Sequence, residues 1–223
     1  MRILFVRHGK PDYEKNCLTE IGHRQAKDTA ERLKNEGIEA VYSSPFGRAL
    51  ETARYTADAL GLPVQVLDFM HELYWGNNEG KPVFSGGSPW DAANELMRRN
   101  VDLNAPDWAS HPIFENNVVA GEAARVAREI DVWLAGLGYE RDGLYYRCVR
   151  PDHPGTIALF SHGGSSTAAL AQIFNVSFPY LCAVRHEPFA SITIARFSDR
   201  LGELTIPCLE LAGDGRHVPY GQE

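Results

Sequence analysis

The chain has 223 residues, of which 44% are hydrophobic and 23% charged. That balance excludes disordered, collagen-like and disulfide-scaffold chains, and at roughly 150 residues per domain it fits a single domain over 1–223 with insertions. Lys and Arg number 22 against 29 Asp and Glu, for a net charge of −7. A nucleic-acid partner is therefore not expected, since no basic stripe is present to neutralise a phosphate backbone.

No run approaches the ~20 apolar residues of a membrane span, so no membrane partner is expected either. The apolar start, Met1 to Val6, is too short for a signal peptide, and Arg7-His8 follows at once. A cytoplasmic protein is the expectation. Cys17, Cys148, Cys182 and Cys208 form no CxxC pair and are read as reduced thiols. None precedes an arginine by six positions, so the loop of the cysteine phosphatases is absent.

Ile3 to Val6 reads as a buried parallel strand that ends at Arg7-His8-Gly9. A helix opens at Thr19, with Gly22, Ala26, Ala30 and Leu33 on one face and Gly37 as its stop. Ala40 to Ser43 is a second strand. Ser44-Pro45 then reads as an N-cap and first helical position, ahead of the stripe Phe46, Ala49, Leu50, Ala53, Ala57 and Leu60. Gly61 ends that helix, and Val64 to Leu67 is a third strand.

From Gly80 to Gly121 the pattern loosens, with a short helix over Trp90 to Arg99. A helix from Gly121 to about Leu137 turns Ala124, Ala127, Ile130, Val132 and Leu134 inward. Tyr139 to Gly155 reads as a loop or flap. Thr156 to Phe160 is a strand ending at Ser161-His162-Gly163-Gly164, and Ser165 to Phe174 is a helix. Ser191 to Phe197 and Leu204 to Leu211 read as a closing pair of strands. Alternating strands and helices predict an α/β fold: a three-layer α/β/α sandwich around a mostly parallel mixed sheet. Ligands of such sheets bind beyond the carboxyl ends of the strands, where these polar sequences fall.

Arg7-His8-Gly9 after an N-terminal strand resembles the signature of the histidine phosphatase superfamily, also called phosphoglycerate mutase-like. Leu18 to Ala26 resembles its "LTxxGxxQA" helix, and Tyr42 to Ala53 its "SSPxxRAxQTA" segment. Glu72 to Gly80 resembles "ExxxGxxEG". Gly121-Glu122 resembles the start of the "GES" helix, and Ser161 to Gly164 the second histidine motif. These segments come in family order along almost the whole chain.

The resemblance implies that His8 is the nucleophile and becomes phosphohistidine. It implies that Arg7, Arg48 and His162 join His8 in the phosphate pocket, and that Glu72 protonates the leaving group. Glu79 and Asp68 are the rival carboxyls for that last role. Lys10, Ser161 and Gly163 are possible substrate contacts. Trp75, Trp90, Trp108 and Tyr139 are read as packing residues.

The chemistry agrees with these residue types. Only neutral imidazole attacks phosphorus, and nearby arginines disfavour the protonated ring. The same arginines hold phosphoryl oxygens through a planar donor fork. An alkoxide leaves only with a proton, which a carboxylic acid supplies. Among the eight histidines, His8, His23, His71, His111, His153, His162, His186 and His217, none makes an HxH, HxxxH or HExxH pattern. Neither a metal nor another cofactor is expected.

Ten positions separate His8 from Leu18, and no Gly-Trp pair lies between them. The mutases of the family carry a longer stretch there, so the short phosphatase-type branch is favoured. The expected function is hydrolysis of a small phosphate monoester. The alternatives are a phosphoglycerate mutase-type transferase, a phosphoprotein phosphatase and a non-catalytic phosphate-binding module. Glu72 and His162 stand 90 positions apart. The excess is expected to form a cap over about 81–120 and a flap over about 139–155, both over the carboxyl ends of the strands.

Overall fold

The computed structural model describes residues 1–77, 79–185 and 187–221. Asn78 of the Glu72 segment and His186 lie outside the described residues. In chain order the elements are β1 (Arg2–Arg7), β2 (Pro11–Asp12), β3 (Cys17–Leu18), α1 (Glu20–Leu33), β4 (Ala40–Ser43), α2 (Gly47–Leu60), β5 (Val64–Val66), α3 (Pro89–Arg98) and α4 (Val119–Gly136). They continue with β6 (Tyr139–Asp142), β7 (Tyr145–Cys148), β8 (Thr156–Ser161), α5 (Gly163–Phe174), α6 (Phe178–Val184), β9 (Ile192–Arg196), β10 (Leu204–Thr205) and β11 (Cys208–Asp214).

The main sheet has six strands in the order β11-β9-β1-β8-β4-β5. β1, β8, β4 and β5 run parallel; β9 pairs antiparallel with β1 and β11 antiparallel with β9, so β9 alone runs against the other five. This is the predicted mostly parallel mixed sheet. β1 and β8 are its central pair, in register from Arg2–Thr156 to Arg7–Ser161. Their interior residues Ile3 to Val6 and Ile157 to Phe160 are at most 1% exposed, as expected of strands covered on both faces. One core packs α3, α4, α5 and α6 on one face, with Phe5, Ile157 and Leu159 facing it. A smaller core of Leu4, Val6, Leu33, Val41, Ala53 and Phe160 lies on the other.

Several elements differ from expectation for identifiable reasons. α1 ends at Leu33 with Lys34 as C-cap, and Gly37 takes its left-handed φ of 68° in the turn beyond. α2 begins at Gly47 rather than Pro45, with Phe46 as its uncapped N-cap. A Cβ on Gly47 would come within 2.2 Å of the Asn16 carbonyl oxygen, so the first position of the helix needs glycine. The buried stripe of α4 is Val119, Ala123, Val126, Ile130 and Leu134; Ala124 and Val132 face solvent. Leu204–Thr205 pairs with β7 rather than with the closing strand, which is β11. α6 has no counterpart in the sequence reading.

The stretch expected to be a flap is instead the β6–β7 hairpin, extended by β10 into a second, three-stranded sheet. Asp142 pairs with Tyr145 across a two-residue turn whose first residue, Gly143, has φ 62°, as a type II′ hairpin requires. This sheet sits at the amino end of β1. The Tyr139 hydroxyl meets the Met1 amine at 3.4 Å, and the Arg2 amide donates to the Gly155 carbonyl at 2.8 Å. It is therefore at the opposite end of β1 from Arg7 and does not cover the carboxyl ends of the strands. Among the described residues, no single helix is long and apolar enough to cross a membrane.

Candidate active site

The loop after β1 is fixed by its backbone. The His8 amide donates to the Ser161 carbonyl at 3.0 Å, and the His8 carbonyl accepts from the Ala190 amide at 3.1 Å. Side chains from the family-like motifs hold the next residues. The Gly9 amide donates to Thr52 Oγ1 at 3.1 Å and the Lys10 amide to Gln25 Oε1 at 2.7 Å. The Thr19 hydroxyl donates to the Lys10 carbonyl at 2.9 Å. Gly9 and Gly22 touch: a Cβ on Gly9 would lie 2.6 Å from the Gly22 oxygen, and one on Gly22 would lie 2.2 Å from the Lys10 oxygen. Both positions need glycine because α1 is pressed against the loop.

His8 is 1% exposed. Its Nδ1 lies 2.8 Å from the Gly9 carbonyl oxygen. A carbonyl only accepts, so this contact assigns the proton to Nδ1 and leaves the lone pair on Nε2. Arg48 Nε faces that Nε2 at 3.4 Å. Burial, then the charge of Arg7, and to a lesser degree that of Arg48, push the His8 pKa down to about 3 against the pull of the Gly9 carbonyl. The ring is therefore neutral at physiological pH.

His162 is fully buried, with its ring centroid 5.1 Å from that of His8. Its Nε2 lies 2.7 Å from Ser44 Oγ. Its Nδ1 is buried with no hydrogen-bond partner among the described residues. Burial, then His8 and the two arginines, hold its pKa well below the ordinary histidine value. Ser44 is thus a partner of His162 rather than the cap of α2; it also accepts from the Phe46 amide at 3.2 Å.

Arg48 is buried in the first turn of α2 and anchored by Asn16 Oδ1 at 2.7 Å. Its guanidinium lies 4.9 Å from the Phe46 ring centroid and 5.4 Å from that of Tyr13. Arg7 donates through Nη1 to the Glu187 carbonyl and stacks 4.4 Å over Phe189. Arg7 Nε is buried with no hydrogen-bond partner among the described residues. Two guanidiniums and two neutral imidazoles thus converge at the carboxyl ends of β1 and β8.

Glu72 approaches from the segment after β5. Oε1 accepts from the Leu73 and Ser165 amides, both at 2.9 Å, and Oε2 from the Gly164 amide at 3.3 Å. Burial raises its pKa, and the backbone donors and Arg7 oppose that rise without cancelling it. The start of α5, whose free amides favour a negative charge, is thus occupied by this carboxyl. The rival carboxyls are elsewhere: Glu79 pairs with Lys81 on the surface, and Asp68 is exposed.

The Glu72 segment is pinned from both sides by α4. Arg125 donates to the Phe69 carbonyl at 2.7 Å, and Glu122 accepts from Arg125 at 2.9 Å and from the Tyr74 amide at 3.4 Å. Glu122 of the "GES"-like motif therefore positions the segment and does not enter the site.

A cavity of about 430 Å3 is lined by Arg7, Glu72 and Gly163, together with Tyr13, Trp75, Trp90, Arg185 and Glu187, whereas His8, Arg48 and His162 are buried and are not among its lining residues. A larger hollow, about 720 Å3, lies at the other end of β1 around Met1, Asp199 and Thr205, away from the histidines. The structure differs from the sequence reading in the accessory residues. The Ser161 hydroxyl is turned to Ser166 Oγ at 2.5 Å, and only its carbonyl serves the loop. Lys10 contributes its backbone to the α1 contact and does not line the cavity.

Trp75 and Trp90 line the cavity in edge-to-face contact at 5.6 Å, and Trp90 also packs against the main core as expected. Trp108 packs on Phe114 and Phe178, and Tyr139 is fully buried, as expected of packing residues. Tyr13, Asn16, Arg185, Glu187 and Phe189 were not anticipated. Only the first two carried a signal, since the short interval from His8 to Leu18 folds as the β2–β3 hairpin beside the histidine.

Known proteins share the sequence pattern and the fold. Residues 3–121 match the model of the histidine phosphatase superfamily, branch 1. A probable phosphoglycerate mutase GpmB from Yersinia pestis (strain Pestoides F) is 36% identical over 94 residues. That match covers 38% of this chain and 44% of the relative, so the chain spans less than half the length of the curated relatives it matches.

Solved structures share the fold over nearly the whole chain. The phosphoserine phosphatase of Entamoeba histolytica has a TM-score of 0.62 at 19% identity, covering 97% of this chain and 98% of its own. The alpha-ribazole phosphatase of Shigella flexneri has a TM-score of 0.62 at 18% identity, covering 96% and 97%. A mycobacterial glucosyl-3-phosphoglycerate phosphatase has 0.62 at 22%, covering 95% and 98%. The chain belongs to the histidine phosphatase superfamily, branch 1.

Proposed function

We propose that this chain hydrolyses a small phosphate monoester through a phosphohistidine on His8 Nε2, with no metal ion. The observation that carries the reading is the tautomer: Nδ1 is tied to the Gly9 carbonyl, so the lone pair faces Arg48 beside His162 and Arg7. Arg7 through its terminal nitrogens, Arg48 and His162 hold the phosphoryl oxygens as charge spreads over them. Placing that charge complement in the protein is why a metal is not required. Glu72 is the acid that gives its proton to the leaving oxygen, a role favoured by the burial that raises its pKa. The ionised carboxylate then takes a proton from water, which attacks the phosphorus and regenerates His8.

The walled cleft favours a small ester over a phosphoprotein, and the cap at about 81–120 supplies one wall through Trp90. The fold neighbours named above as phosphatases support hydrolysis. The mutase-like relative supports transfer, but the short β2–β3 hairpin favours hydrolysis. The test is hydrolysis of an aryl phosphate by wild type and His8→Ala, with and without EDTA. Turnover that resists EDTA and disappears in His8→Ala is the expected result. Turnover abolished by EDTA, or retained by His8→Ala, refutes the reading.

A further inference from the structure

The space in front of Gly163 is bounded by an unusual pair of atoms. The position a Cβ would take there lies 3.6 Å from Glu187 Oε2, 3.6 Å from Trp90 Cζ2 and 3.9 Å from Arg7 Nε. Glu187 Oε2 and Arg7 Nε are both buried with no hydrogen-bond partner among the described residues. Buried polar atoms are seldom left so, because each carries an uncompensated desolvation cost. The Glu187 carboxylate is held in place by its other oxygen, which pairs with Arg185 and accepts from Thr167 Oγ1 at 3.0 Å. The Arg185 and Glu187 side chains are only 8% and 9% exposed.

We infer that this niche selects a leaving group with a hydroxyl on the carbon next to the ester carbon, as in a sugar or polyol phosphate. The inference rests on the phosphatase reading above and narrows its substrate. Arg7 Nε is only a donor and the Glu187 carboxylate only an acceptor. A hydroxyl accepts from the first and donates to the second. An ammonium has no lone pair for Arg7 and meets its charge. A carboxylate has no proton for Glu187. A methyl leaves both atoms unpaired. Arg185 and Glu187 cancel each other's charge, so the wall offers no spare cation for a second anionic group. Trp90, braced edge-to-face by Trp75, gives the C–H face of the leaving group an apolar surface.

The test compares kcat/KM for 2-hydroxyethyl, ethyl and 2-aminoethyl phosphate and phosphoglycolate, which share one frame and differ at the terminal group. The hydroxyethyl ester is expected to exceed the ethyl ester by about ten-fold or more, and to exceed both charged esters. Gly163→Ala, which puts a methyl in the niche at ordinary contact distance, is expected to abolish that preference. Glu187→Gln is expected to reduce it. Should Glu187→Gln fail to fold around Arg185, the alanine variant still decides. An ethyl ester as good as the hydroxyethyl ester, a preference for a charged ester, or a Gly163→Ala that slows all four alike overturns the niche. If aryl and ethyl phosphates are hydrolysed but no hydroxyl preference appears, the niche alone fails. If no ester and no aryl phosphate is hydrolysed, the phosphatase reading fails with it.

Discussion

The phosphate floor of the cleft and its outer wall hold their side chains by different means. Around His8 and His162 the backbone is paired strand to strand, and Gly9, Gly22, Gln25 and Thr52 lock the loop against α1 and α2. Around Trp75, Trp90, Arg185 and Glu187 the side chains come from connecting segments and from the first turn of α3. The floor is pre-organised for a group that does not vary, phosphate. The wall is where chains of one fold can differ in what they accept.

The comparison can be broken from the floor outward. Glu72→Gln keeps the shape of the carboxyl but removes its proton. The kcat/KM for alkyl phosphates, which reports the steps up to departure of the alcohol, should fall by roughly 10²–10⁴-fold, and that for aryl phosphates much less, because a phenolate leaves without help. Equal losses for both, measured as kcat/KM over a series of leaving groups, would show that Glu72 does not protonate the leaving oxygen. Arg48→Ala removes one guanidinium from the phosphoryl oxygens and is expected to cost on the order of 10²–10³ in kcat/KM for every ester alike. A loss that depends on the leaving group would move Arg48 from the floor to the wall.

The smallest effect is on stability. His8 and His162 are held neutral in the fold, so the unfolded chain binds protons that the folded chain does not. Stability therefore decreases as pH falls below the ordinary histidine value near 6.5, and for His8 it continues to decrease toward its folded value of about 3. Each such group contributes a slope approaching about 1.4 kcal/mol per pH unit. Urea midpoints between pH 7 and 5 should shift less in His8→Gln than in wild type, and equal shifts would contradict the buried neutral state.

The sequence made the floor legible because local patterns encode it. Strand ends carry Arg7, His8 and His162, and Gly22 and Gln25 fall at helical spacing. The wall was not legible. Arg185 and Glu187 belong to no motif and become neighbours of Arg7 only through the return of the chain after α6 into β9. Trp75 and Trp90 look like any core aromatic until the fold leaves Trp75 41% exposed. The Ser44 misreading has the same origin. Ser-Pro is a sound local cap signal, but the hydroxyl has a long-range partner in His162. The stripe on α4 slipped because small alanines on adjacent positions do not fix a helical phase.

The central claim is that His8 carries the phosphoryl group, and rapid acid-free quenching followed by intact mass measurement tests it most directly. Wild type mixed with an aryl phosphate is predicted to gain one phosphoryl mass, located on His8 by fragmentation and lost on acid treatment, with none gained by His8→Ala. A wild-type enzyme that turns over the ester while its phosphoryl group is found on another residue, or while His8→Ala is labelled equally, would contradict it.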